Sequence, residues 1–128
     1  MATTGVGIDV VDVDRFRLVL QRRPRIVNRL FTDGERRDAH SQPERLAARF
    51  AAKEAVLKTL GIGAGTTPWR SIEVILSESG APSVVLHEHA RKIAESQGVG
   101  YLHLSMTHTD HLAAAFVVGS STDEVHGG

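Results

Sequence analysis

At 128 residues, with fifteen Lys and Arg balanced by fifteen Asp and Glu and no cysteine, the chain is sized for one domain and cannot use disulfides, thiolate zinc sites or a cysteine nucleophile. Zero net charge removes the overall field of a nucleic-acid binder, and 41% hydrophobic residues with only 5% aromatics require an aliphatic, alanine-rich core. The first residues carry no basic region or signal-length apolar run, and no stretch reaches membrane-span length, so a soluble cytoplasmic protein without membrane or nucleic-acid partners is expected.

Val6 to Val13 is apolar with acids inserted and reads as a strand. On it Asp9 shares a face with Val11 and Val13, while Asp12 and Asp14 share the other. From about Asp12 the pattern turns helical through Phe16, Val19 and Leu20, breaks at Pro24, and resumes at Ile26, Val27 and Leu30. Arg15, Arg17, Arg22, Arg23, Arg25 and Arg29 make this the basic part of a neutral chain. Such a cluster is either a solvated face or a dock, and on a neutral protein a dock favours a specific acidic partner over nucleic acid.

Thr32 to Glu35 has the form of a capping box opening a short helix. Ser41 to Glu44 repeats that form, with Pro43 suited to the first turn. The long helix that follows sets Leu46, Phe50, Leu57 and Leu60 at core spacing and ends at Gly61, a natural C-terminal cap. The glycine-rich loop from Ile62 to Pro68 lacks the Gly-Lys-Ser/Thr ending of a P-loop. Ile72 to Leu76 and Ser83 to Leu86 read as strands paired across the Ser79–Pro82 turn. His87 to Gln97 reads as a helix stopping at Gly98, and Tyr101 to Met106 with Ala113 to Val118 as a second hairpin around Thr107 to Asp110. With no repeat and no linker, this is an α+β domain over residues 1–119 with a flexible C-terminal tail at 120–128.

Three places carry candidate chemistry. Asp9 is an acid on an apolar strand, which is costly unless something satisfies it. Glu54 and Lys58, four apart, lie on one helix face, with Ala47 and Ala51 extending a small-residue stripe beside them. His108 sits in the turn between two strands. Two carboxylates from separate elements with a lysine nearby suit magnesium and a phosphate. Each residue also has a plainer role: Asp9 as a helix cap or arginine partner, Glu54 and Lys58 as a solvated pair, His108 as a turn hydrogen bond. Zinc is less favoured: there is no His-Glu-x-x-His pattern, His87 and His89 face different ways, and His108 with His111 would form half a site.

Gly7-Ile-Asp-Val-Val-Asp-Val13, Arg49-Phe-Ala-Ala-Lys-Glu-Ala-Val-Leu-Lys-Thr-Leu-Gly61, Ser79-Gly-Ala-Pro82, and Ser105-Met-Thr-His-Thr109 followed by Ala113 to Val117 together resemble the holo-acyl-carrier-protein synthases, the small single-domain class of 4′-phosphopantetheinyl transferases. The motifs occur in the family's order and span Gly5 to Val118. The resemblance implies the transferase fold, a long central helix packed on an antiparallel sheet. It implies transfer of phosphopantetheine from coenzyme A to a serine of an apo acyl carrier protein of fatty-acid or polyketide type, releasing adenosine 3′,5′-bisphosphate. By motif match, Asp9 and Glu54 would hold Mg2+ on the pyrophosphate, and Lys58 would contact the transferring phosphate or act in proton transfer, making Asp9, Glu54 and Lys58 the catalytic set. Arg49, Pro82, Thr107, His108 and Thr109 would line the coenzyme A site. Arg15, Arg22 and Arg25 match positions on the helix that receives the carrier. The resemblance also implies a homotrimer with active sites between subunits. Asp12 has no assigned role, and Asp33 to Gln42 carries no usable motif. The alternative is a non-catalytic module of this fold that binds coenzyme A or a carrier, against which the intact Asp9, Glu54, Lys58 and His108 set argues.

Overall fold

The computed structural model describes residues 2–122. Strand β1 (Thr3–Asp12) leads into helix α1 (Val13–Arg22), followed by α2 (Ile26–Leu30), α3 (Asp33–Asp38) and the long α4 (Pro43–Thr59). A short 3-10 turn at Trp69–Ser71 opens strand β2 (Ile72–Leu76), which pairs with β3 (Pro82–Leu86). Helix α5 (Glu88–Ser96) then leads to the hairpin of β4 (Val99–His108) and β5 (Leu112–Ser121). The strands form two antiparallel sheets, β1-β5-β4 and β2-β3. Among the described residues no helix is long and apolar enough to cross a membrane.

Helix α4 is the axis of the molecule. Eleven of its seventeen residues are buried, so it is enclosed rather than one-sided. Alanine makes this possible: Ala51, Ala52 and Ala55 pack with Val56, Ile72, Val74, Ala115 and Val117, and small side chains let the sheet lie close. A second cluster joins Leu46, Ala47 and Ala48 to Val13, Phe16, Leu30 and Phe31 of the N-terminal helices. The few aromatics concentrate here, with Phe16 against Phe31 at 6.3 Å, Phe16 against Phe50 at 5.4 Å and Phe50 against Trp69 at 5.1 Å between ring centres.

Strand β1 lies very close to the end of α4. A Cβ on Gly5 would sit 2.5 Å from the Thr59 carbonyl oxygen, and one on Gly7 would overlap the Ala55 carbonyl oxygen and stand 2.6 Å from Thr59 Oγ1. Both obstacles include backbone, which cannot swing aside, so glycine is required for β1 to lie on α4 at this distance.

Most caps follow the sequence. Thr32 and Glu35 form the expected capping box. At the end of α4, Gly61 (φ 67°) lets its N–H reach Lys58 O while the Ile62 N–H reaches Leu57 O, a Schellman arrangement. The second expected capping box does not form. Gln42 is the N-cap of α4 without a side-chain hydrogen bond, and Ser41 is held in the left-handed region at φ 53° by the turn leaving α3. Strand β5 continues through Ser120 and Ser121, two residues past the expected end of the domain at 119; Thr122 is the last described residue, and the remainder of the expected tail, 123–128, lies outside the described residues.

Candidate active site

The alternation along β1 decides where Asp9 points. Gly5, Gly7, Asp9 and Val11 turn toward α4, while Val6, Ile8 and Val10 are exposed. Asp9 is therefore brought to the last turns of α4, its side chain only 13% exposed. Lys58 reaches across from α4, and its Nζ donates to Asp9 Oδ1 at 3.0 Å and to Ile8 O at 2.9 Å. The lysine thus pairs with the strand, and not with Glu54 one turn earlier on its own helix. The expectation of a solvated Glu54–Lys58 pair is replaced by a cation bridging two elements. The alternative role of Asp9 as a helix cap is taken by Asp12, whose Oδ1 accepts Arg15 N at 3.0 Å at the start of α1.

Glu54 is half-buried between these groups. Burial first, and then the negative charge of Asp9, push its pKa above the ordinary carboxylate range, with Lys58 acting in the opposite direction. The ammonium of Lys58 is held on Asp9 while Glu54 stands near both without its own ion pair among the described residues, and the surplus negative charge is what a hard cation would neutralise. Among the described residues no three His, Asp or Glu side chains converge, so a cation here would rest on two carboxylates, with water and substrate oxygens completing its shell. That donor set fits magnesium, which needs only one or two protein carboxylates.

On another face of α4, Arg49 lines a cleft of about 310 Å³ together with Arg45, Pro82, Met106 and His108. Arg49 is 3% exposed, donates from Nη1 to Arg45 O at 3.1 Å, and has a buried Nε without a partner among the described residues. Burial lowers its pKa, opposed by Glu35 and Asp38, yet a guanidinium stays protonated in proteins. A buried cation with an unused donor beside a cleft is suited to an anion. His108 is the last residue of β4, opposite Ala113, and not within the turn, which spans 109–111. This register places it on the same strand face as Met106, toward the cleft. Thr107 stands on the opposite, exposed face, and the Thr109 hydroxyl closes the turn by accepting Leu112 N at 2.9 Å and His111 N at 3.2 Å. Neither threonine lines the cleft within this chain.

Arg15, Arg22 and Arg25 are all exposed. Arg15, Leu18, Val19 and Arg22 fall on one stripe of α1, and the two apolar members remain 46% and 40% exposed. Arg22 and Arg25 continue it to a recess of about 470 Å³ shared with Ile26 and Arg29. A further pair, Glu35 and Lys53, has no signal in the local sequence pattern. Both are fully buried, with Lys53 Nζ 2.7 Å from Glu35 Oε1 beneath the cleft helix. The capping box placed Glu35 on α3, but only the packing of α3 on α4 brings Lys53 to it.

The model of the 4′-phosphopantetheinyl transferase superfamily matches residues 5–117 of the chain. The holo-[acyl-carrier-protein] synthase of Frankia alni is 50% identical over 121 residues, which is 94% of this chain and all of the relative. Among solved structures, the acyl carrier protein synthase of Mycobacterium tuberculosis is similar at 36% identity and a TM-score of 0.73, covering 94% of this chain and 99% of that one. The Helicobacter pylori holo-[acyl-carrier-protein] synthase, solved in complex with coenzyme A, is similar at 26% identity and a TM-score of 0.82 over 90% of this chain and 99% of that one. With its α+β fold and motifs matched along nearly the whole length, the chain belongs to the holo-[acyl-carrier-protein] synthase family of 4′-phosphopantetheinyl transferases.

Proposed function

We propose that this chain, in the cytoplasm, transfers the 4′-phosphopantetheine group from coenzyme A to a serine of an apo acyl carrier protein of fatty-acid or polyketide type, with release of adenosine 3′,5′-bisphosphate and with Mg2+ as cofactor. The observation that carries this reading is the meeting of Asp9 from β1 with Glu54 and Lys58 from α4. Asp9 and Glu54 are the residues that would hold the metal. Magnesium bound to a pyrophosphate offsets the charge that grows on its oxygens as the bond breaks. Lys58 adds a fixed ammonium to the same task, aimed at the transferring phosphate. The proton of the attacking serine hydroxyl would pass to Glu54, whose pKa is raised by burial and then by Asp9, or to a water on the metal.

The Arg49 cleft, with Pro82 and His108, is assigned to the 3′-phosphoadenosine end of coenzyme A, where the planar guanidinium fork matches a terminal phosphate. The Arg15–Arg22 stripe and Arg25 are assigned to carrier docking: exposed apolar residues between arginines fit a helix that alternates acids with apolar side chains. The decisive test is the mass of an apo acyl carrier protein after incubation with this protein, coenzyme A and Mg2+, beside a sample in excess chelator. A gain of about 340 Da, the phosphopantetheine increment, only in the metal-containing sample is expected. No gain in either sample would overturn the transfer reading.

We also propose that the exposed sheet face joins copies of this chain into a homotrimer with the active sites at subunit boundaries. Val6, Ile8 and Val10 are each more than half exposed, and Phe116 of β5, opposite Ile8, and Tyr101 of β4 extend the same face. An apolar surface of this kind on a soluble domain is ordinarily covered by a partner. Asp9 lies between Ile8 and Val10, so this face borders the site, and Thr107, on the exposed face of β4, would meet substrate from across that boundary. Static light scattering should give about three times the chain mass of 13.8 kDa; a mass of one chain would overturn the assembly.

A further inference from the structure

The arginine arm carries two acids of its own, and both are occupied within the chain. Asp12 is used as the cap of α1. Asp14, in the first turn, gives Oδ1 to Arg17 Nη1 at 3.2 Å and Oδ2 to His111 Nδ1 at 3.1 Å. An ionised carboxylate can only accept, so the proton in the second contact sits on Nδ1. His111 does not belong to the arm. It lies in the turn between β4 and β5, where its backbone oxygen also accepts Val13 N at 2.9 Å. The side-chain contact therefore spans a junction already fixed by the main chain, and Thr109 Oγ1 holds the turn by accepting His111 N at 3.2 Å.

All three members of the Asp14 cluster are substantially exposed, with side chains 40% accessible for Arg17, 56% for Asp14 and 76% for His111. Exposed pairs add little to folding stability. Their position matters more: Asp14 precedes Arg15 and stands one helical turn from Leu18, both on the stripe assigned to docking. A free carboxylate there would face the acids of an approaching carrier, and a like charge at an interface slows encounter and weakens the complex.

We infer that His111 is a positioning residue for carrier docking, holding the Asp14 carboxylate against the β4–β5 turn so that the arginine arm presents an unbroken basic face to an acidic carrier protein. The inference rests on the docking role proposed above for the arm. It concerns a charge on the protein's own docking helix, and no contact of His111 with coenzyme A or the reacting phosphate is involved.

The test is steady-state transfer by the full chain, with the KM for apo carrier and for coenzyme A measured separately for wild type, His111→Ala, Asp14→Asn, the double variant and Arg22→Glu. Alanine at 111 keeps the backbone oxygen that receives Val13 N. His111→Ala should raise the carrier KM by about three- to fivefold, the range of an exposed charge interaction, with kcat and the KM for coenzyme A unchanged. Adding Asp14→Asn should return the carrier KM to the wild-type value, a rescue that lost packing would not show. The difference should also vanish near 0.5 M salt, where the screening length falls to roughly 4 Å. An unchanged carrier KM in His111→Ala, or no rescue by Asp14→Asn, overturns the inference alone. A carrier KM indifferent to Arg22→Glu overturns the docking reading, and this inference with it.

Discussion

Glu54→Gln should abolish transfer while the protein stays folded. The expected fall in kcat/KM is at least about a hundredfold, the scale seen when one group that meets developing charge is removed. Glutamine keeps the shape of the side chain and loses the charge that balances a metal and the ability to take up a proton, so either assignment of Glu54 gives the same loss. Stability separates a site effect from a folding effect. Because the folded-state pKa of Glu54 is raised, by burial and then by Asp9, its contribution to stability is full below the ordinary carboxylate range and is lost as pH rises through the raised value. At neutral pH in chelator, the metal-free variant should therefore unfold at the same temperature as wild type or above it. The two curves should converge in acid, where Glu54 is protonated. A variant that retains its transfer rate would remove Glu54 from the site.

Lys53→Met should lower the unfolding free energy by about 3–5 kcal/mol, the usual result of stranding one member of a buried ion pair. Both side chains are fully buried. Lys53 Nζ also donates to the backbone oxygens of Trp69, at 3.0 Å, and Ile72. Glu35 Oε2 accepts Val74 N at 2.9 Å, and its Oε1 accepts Thr32 N at 3.0 Å. The pair is thus a hub that ties α3 and α4 to the free edge of β2. Burial lowers the pKa of Lys53 despite the opposing Glu35 carboxylate, so desolvation outweighs the attraction, and the charges alone do not explain why the pair is retained. The hydrogen bonds do. Replacing both residues, as Glu35→Leu with Lys53→Met, removes the desolvation cost but leaves Val74 N and Ile72 O without partners inside the protein. Urea unfolding should show the double variant recovering part of the loss and remaining below wild type. Full recovery would reduce the pair to a compensated burial. Arg49 lies one turn from Lys53 on α4, so failure of this hub would also loosen the cleft.

Local rules made much of this molecule legible. The Thr32–Glu35 cap, the Gly61 stop, the hairpin strands and the length of α4 each depend on residues within a few positions of one another, where dihedral preference and hydrogen-bond reach act directly. The Ser41 capping box failed for a reason that is not local: the turn out of α3 imposes a left-handed backbone at His40 and Ser41, and a side chain so placed no longer reaches the helix start. The role of Asp12 was missed because strand and helix meet at that residue. Strand periodicity assigned it a face, while the helix used it as a cap.

The site divides along the same line. The motifs, taken as a likeness, named Asp9, Glu54, Lys58, Arg49, Pro82 and His108, and residue type alone suggested a carboxylate–lysine cluster suited to a metal and a phosphate. Sequence spacing paired Glu54 with Lys58, because only neighbours along the helix can be counted from it. Tertiary structure chose Asp9 instead: the bare backbones of Gly5 and Gly7 let β1 press on α4 until a strand carboxylate came within 3.0 Å of the lysine. The same packing gathered Arg49, Pro82 and His108 around one cleft, left the two threonines outside it, and buried Lys53 on Glu35. A chain can specify its own turns and caps through short-range chemistry, but which charge meets which across the 49 residues from Asp9 to Lys58 depends on how closely two surfaces can approach.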